Sequence, residues 1–162
     1  MYNEGCLVGE WLALPATKEE LRSCLDRIGI DKEHEEYFIT DYETDIEGLS
    51  IGEYEPLPYL NKTMKLIEEE LTDDELIALQ AFLVEGYDLT EALEAAEAGN
   101  WVLYSGVSDL EELAEAVIEK GGYLDGLPAI IADHIDYEGV GRDLSIQGHY
   151  VFVGGDCVEV HR

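Results

Sequence analysis

Positive charge is what this sequence has least of. Nine Lys and Arg stand against thirty-eight Asp and Glu in 162 residues, for a formal net charge of −29 at neutral pH. Binding to phosphates needs clustered Lys and Arg, so a chain this short of them is not expected to bind nucleic acid directly. Cysteine is sparse too. Cys6, Cys24 and Cys157 make an odd number with no CxxC pair, which argues against a disulfide framework and against zinc and fits a reducing cytosol. No apolar run approaches the length that crosses a bilayer, and MYNEGCLVGEW has no basic segment leading an apolar one. The expectation is a cytoplasmic protein with no membrane association.

Catalytic and metal-binding signatures are missing as well. His34, His134, His149 and His161 show neither HExxH nor any other ligand spacing. There is no GxxxxGK, and Gly139 and Gly141 do not follow a strong strand, so nucleotide binding has no support. DYETDIEGLSIGE offers Asp41, Glu43 and Asp45 at alternate positions, but a calcium loop begun at Asp41 needs Gly sixth and Glu twelfth. Ile46 and Gly52 stand there instead. No pair of the thirty-eight acids is singled out for glycoside hydrolysis. No enzyme activity, cofactor or metal is therefore expected.

What is present is a chain able to fold. Hydrophobic residues make up 46%, and ten Tyr, three Phe and two Trp are spread along it, unlike a disordered acidic tail. The pattern predicts an α+β protein, an elongated chain of three small modules. In residues 1–55, LVGEWLAL (7–14) reads as a strand stopped by Pro15. Thr17 and Glu20 form a capping box, and Leu21, Cys24, Leu25 and Ile28 are spaced as a buried helical face ending at Gly29. EYFITDYE (36–43) reads as a second strand, giving a small sheet with one helix across it.

From Ile46 to Leu60, Gly48, Gly52, Pro56 and Pro58 read as a linker. Residues 56–99 form a helical middle module. Leu60, Met64, Ile67 and Leu71 mark one stripe; Thr72 and Glu75 open a second, of Leu76, Leu79 and Leu83; a third helix, EALEAAEA, follows Thr90 and stops at Gly99. Residues 100–162 return to mixed α/β. WVLY is a strand, Ser108 and Glu111 are read as a capping box for a helix over Leu110 to Ile118, Pro128 starts a short helix, and YVFVGGDCVEV is a hairpin turning at Gly154 and Gly155.

From Leu66 to Glu119 there is no Lys, Arg or His, while Asp and Glu occur sixteen times in those 54 residues. An ordinary solvated helix face interleaves both signs to gain about 0.2–0.5 kcal/mol per i,i+4 pair. This chain forgoes that gain for a field of one sign. Asp41, Glu43, Asp45 and Glu47 alternate, so an extended segment would place them on one side about 6.7 Å apart. Glu91, Glu94 and Glu97, like Glu111, Glu112, Glu115 and Glu119, fall at i+3 and i+4, about 5–6 Å apart on a helix. Glu68, Glu69, Asp73 and Asp74 extend the field. Such intervals resemble those of DNA phosphates. These fifteen residues are the candidate partner-binding carboxylates, read against the plain alternative of a solvated acidic surface or a halophilic enzyme.

YNEGCLVGEWLALP (2–15) and IDYEGVGRDL (135–144) resemble the opening YNEG and GxW segment and the YGRDL-type passage of the ArdA antirestriction family, and the Tyr-rich acidic EYFITDYE is similar to it also. The likeness spans essentially the whole chain. It implies a curved homodimer that copies bent duplex DNA and occupies the DNA-binding groove of type I restriction-modification enzymes, at their specificity and methylation subunits. It also implies carriage on mobile genetic elements. The family pattern has a further strand of about ten residues before YNEG, so the resemblance implies either a truncated start or an incomplete N-terminal sheet with an exposed pairing edge. The other reading carried forward is an acidic inhibitor or chaperone of another basic DNA-binding protein. In IDYEGVGRDL, Arg142 is expected to form an internal ion pair with Asp136 or Asp143, and Leu144, Ile146 and Tyr150 are candidate dimer contacts.

Overall fold

A computed structural model of the chain describes residues 8–31 and 36–161. Cys6, His34, the YNEG residues and the first residue of the expected strand at 7–14 lie outside that range. The described residues form an α+β protein with seven helices and one three-stranded antiparallel sheet. They fall into two compact units. One takes the residues up to Glu43 together with Ser50–Leu71, the other Thr44–Leu49 together with Thr72 onward. The expected boundary at 55/56 lies within the first unit and that at 99/100 within the second.

The first unit contains helices α1 (Lys18–Arg27) and α2 (Leu57–Glu70). The Thr17 hydroxyl accepts from the Glu20 N–H, and the Glu20 carboxylate accepts from the Thr17 N–H, so the expected capping box opens α1. Cys24 is buried on the predicted face. Arg27 closes the last turn by donating from Nε to Glu10 at 2.7 Å. The two expected strands are corrected. Neither Val8–Ala13 nor Glu36–Glu43 forms a strand, so the described part of this unit carries no sheet. Val8, Gly9, Glu10, Trp11 and Ala13 are exposed, without the in–out alternation that one buried face would impose. Among the described residues, Tyr37–Thr40 make one ladder-type backbone bond, from the Ile39 N–H to the Glu53 carbonyl at 2.7 Å. Strand propensity needs a partner edge to become a sheet. Helix α2 starts within the expected linker, with Pro58 in its first turn and Leu60, Thr63 and Ile67 buried. Asn61 ties it to the chain before α1, accepting from the Ala16 N–H at 2.6 Å and donating to the Ala16 carbonyl.

The second unit is organised around α3 (Asp73–Val84). Thr72 and Glu75 form its capping box as the spacing predicts. The helix is apolar on most of its circumference, with Ala78, Leu79, Ala81, Phe82 and Leu83 buried. Such a helix belongs at the centre of a core. Complete burial of Leu79 and Phe82 contributes about 1.5–3 kcal/mol each. It packs against α4 (Leu89–Ala98) and against all three strands, β1 (Trp101–Tyr104), β2 (Tyr150–Val153) and β3 (Asp156–Val160).

The sheet order is β1-β3-β2, and Val153 pairs with Asp156 across the predicted Gly154–Gly155 turn. Strand alternation sends Val151, Val153, Val158 and Val160 to the α3 side. Tyr104, Tyr150, Phe152 and Cys157 go to the other face, against Val107 and Leu113 of the segment leading into and forming α5 (Leu110–Gly121). Two helix starts are corrected. Asp88, not Thr90, caps α4, and Asp109, not Ser108, caps α5; each carboxylate accepts from the N–H three residues on. Residues 44–49 are also more than a linker. The Glu47 N–H donates to the Gln80 side chain, Leu49 is buried, and Gly48 at φ 78 lies against the backbone of Leu83 and Val84.

The short helix after Pro128 is present as α6 (Ala129–Ala132), but α7 (Tyr137–Gln147) is a helix that the sequence pattern does not signal. Asp136 caps it by accepting from the Gly139 N–H. Gly141 lets α7 lie directly on α5, because a methyl group at that position would run into the Leu110 carbonyl. Gly141→Ala is therefore expected to push the two helices apart and destabilise the second unit by about 1–3 kcal/mol. A lowered urea midpoint with unchanged helix content under native conditions is the expected result.

Candidate functional site: an exposed carboxylate surface

All fifteen candidate carboxylates are solvent-exposed: Asp41, Glu43, Asp45, Glu47, Glu68, Glu69, Asp73, Asp74, Glu91, Glu94, Glu97, Glu111, Glu112, Glu115 and Glu119. Burial of alanines and leucines on the inner faces produces this. Ala92 and Ala96 face inward on α4 while Glu91, Glu94 and Glu97 face out. Leu113 and Ala114 do the same on α5 for Glu111, Glu115 and Glu119. The second unit holds twenty-two of the acids against three Lys and Arg, a net −19 of the chain's −29.

The expected single line of Asp41, Glu43, Asp45 and Glu47 is corrected. The chain bends at 45–48, where the Leu49 N–H donates to the Ile46 carbonyl and the Ile46 N–H to the Thr44 hydroxyl. Alternation along a straight strand does not survive a turn.

The carboxylates differ in what surrounds them. Glu112 accepts from both the N–H and the hydroxyl of Ser108, at 2.7 and 2.8 Å. These bonds favour its charged form and hold its pKa below the ordinary carboxylate value, as the matching bonds from Thr17 and Thr72 do for Glu20 and Glu75. Asp73, Asp74, Glu91 and Glu111 sit in first turns, where the helix dipole favours negative charge. Glu68, Glu69 and Glu70 sit in the last turn of α2, where the dipole opposes them; among the described residues Lys65 approaches Glu69, at 3.8 Å.

Among the described residues of the second unit, Lys120 and Arg142 are both engaged within the chain. Lys120 lies 5.0 Å over the Tyr104 ring, whose hydroxyl is pushed up to about 12 by burial and the neighbouring Glu159. Arg142 meets Glu138 at 3.4 Å, one turn back on the exposed face of α7, not Asp136 or Asp143 as expected. Asp136 is occupied in capping. Leu144 and Tyr150 pack against the core beneath α5, so of the three candidate dimer contacts only Ile146 is prominently exposed. Among the described residues no group of three or more His, Cys, Asp or Glu could hold a metal ion, and no helix is long and apolar enough to cross a membrane. Cys24 and Cys157 are free and buried. Sequence reasoning passed over Leu127–Ile131, five consecutive uncharged residues that are all exposed; their break in the acidic pattern was the available signal.

Fold and surface together define an acidic α+β protein whose distinctive feature is a carboxylate-covered exterior. Residues 1–159 match the family model for antirestriction protein (ArdA), and the chain belongs to that family. Its function class is accordingly antirestriction. No curated protein matches the sequence.

Thr72→Ala removes half of the α3 capping box and is expected to cost about 1 kcal/mol at pH 7. Because the folded pKa of Glu75 lies below its unfolded value, the carboxylate's share of that stability is complete above about pH 4.3 and is lost as pH falls through the folded pKa. The gap in denaturant midpoint between wild type and variant should therefore narrow on acidification; a gap that widened would contradict the assignment.

Proposed function

We propose that this protein mimics bent duplex DNA and competitively occupies the DNA-binding groove of type I restriction-modification enzymes, acting without catalysis. The observation that carries the reading is the exposure of every candidate carboxylate across a stretch with no base between Leu66 and Glu119. Carboxylates about 5–6 Å apart on α4 and α5 stand in for phosphates. A basic groove gains steered association and displaces its counterions when it meets such a surface. The specificity and methylation subunits are the proposed partners, following the family resemblance. A curved homodimer with contacts in residues 100–162 would present the field twice, and a cytoplasmic protein carried on a mobile element would protect incoming DNA.

The placement of Glu68–Glu70 supports the same reading. Charge retained against a helix dipole costs stability, and a cationic partner gives it a use.

The direct experiment measures cleavage of unmodified DNA by a type I enzyme with and without the protein. Inhibition that is relieved by added DNA and weakens with salt is expected. Binding to some other basic protein with no effect on restriction would favour the chaperone or inhibitor reading instead. Glu91, Glu94 and Glu97 changed together to Gln should weaken inhibition and flatten its salt dependence, whereas each single change should cost little. Replacing Glu68, Glu69 and Glu70 together by Gln should raise the thermal midpoint by roughly 2–4 °C while weakening inhibition. A midpoint that fell would show that these residues serve the fold.

A further inference from the structure

We propose that the exposed apolar strip Leu127–Ile131 is a second contact surface, docking on an apolar spot set among basic residues in the DNA-binding surface of the target enzyme. The proposal rests on the competitive reading above and adds to it a component that charge does not supply. Leu127, Ile130 and Ile131 are 41%, 75% and 51% exposed, Pro128 and Ala129 are exposed beside them, and α6 buries none of its residues. Part of the backbone here is bonded within the segment: the Ile131 N–H donates to Pro128, the Asp133 N–H to Ala129 and the His134 N–H to Ile131. The apolar side chains have no such partner within their own helix, since α6 buries none of its residues.

The flanking charge selects the occupant. Asp125 precedes the strip and Asp133, Asp136 and Glu138 follow it, all exposed, while His134 turns its Nδ1 to the Ile130 carbonyl and Arg142 is paired with Glu138. A second copy seated on this strip would bring those carboxylates against their own kind. A surface with an apolar centre and a basic rim satisfies both parts at once, which is the usual anatomy of a specific interface. Duplex DNA offers its readers the same combination, apolar sugar and thymine methyl groups between phosphates. A protein that replaces DNA in such a groove needs an apolar element between its carboxylates, and this strip is one.

The test uses the full chain, with the methyltransferase core of a type I enzyme as probe. Binding is measured over a salt series for the wild type, for Ile130→Ser with Ile131→Ser, and for Leu127→Ser. These side chains are exposed, so a thermal melt is expected to show the variants folded. The double variant should raise Kd at least about tenfold at every salt concentration, with the salt slope unchanged; Leu127→Ser should do the same to a lesser degree. Unchanged affinity in both variants, with the wild type still bound, would overturn the inference and leave the competitive reading standing. Loss of self-association without loss of affinity for the core would assign the strip to a second copy and overturn it too. A wild type that does not bind the core at all would remove the competitive reading and this one with it.

Discussion

Self-repulsion is the constraint on which the rest of this structure depends. A small protein with a net charge of −29 must hold together a shell that pushes outward on itself. The burial of α3 opposes that push. Ala78, Leu79, Ala81 and Phe82 are fully enclosed between α4 and the sheet, and the inward-facing valines of β2 and β3 meet them. The acids are admitted at the rim of this core, and many of them stand where a helix begins, so that local electrostatics offsets part of their mutual repulsion.

The caps extend this economy. Thr17 with Glu20, Thr72 with Glu75, and Ser108 with Glu112 each turn a carboxylate into a structural ligand for backbone donors at a helix start. Asp88, Asp109 and Asp136 do so as cap residues themselves. The surface therefore contains two populations of acid. One satisfies orphan N–H groups, and within it Glu20, Glu75 and Glu112 are held ionised by those bonds; the other, including Glu94, Glu97, Glu115 and Glu119, is exposed along helix faces. In the last turns of α2, α4 and α5, where Glu68–Glu70, Glu97 and Glu119 stand, the helix dipole opposes the charge.

Membership of the antirestriction family and the exposed surface point the same way, by different routes. The family match concerns the order of residues along the chain. The surface argument concerns where folding puts them. Neither depends on a cleft, and Lys120 and Arg142 of the second unit are engaged by the Tyr104 ring and the Glu138 carboxylate.

Much of this was legible in the sequence because it is local. Capping boxes at Thr17 and Thr72, the helical stripes, the Gly154–Gly155 hairpin and the base-free stretch all depend on residues within a few positions of one another. What failed was the part needing a distant partner. Tyr37–Thr40 has strand chemistry but no edge that completes a sheet among the described residues, and the alternating acids from Asp41 to Glu47 lie on a segment that bends. Helix α7 was hidden by Gly139 and Gly141, which depress helix propensity in isolation. Tertiary packing reverses their meaning, since Gly141 is what allows α7 to close on Leu110. The sequence by itself determined the sign and density of the charge, the capping boxes at Thr17 and Thr72, and the family. Only the tertiary structure decided which residues lie outside, because exposure is set by what packs against the opposite face, and that is contributed by residues far away along the chain.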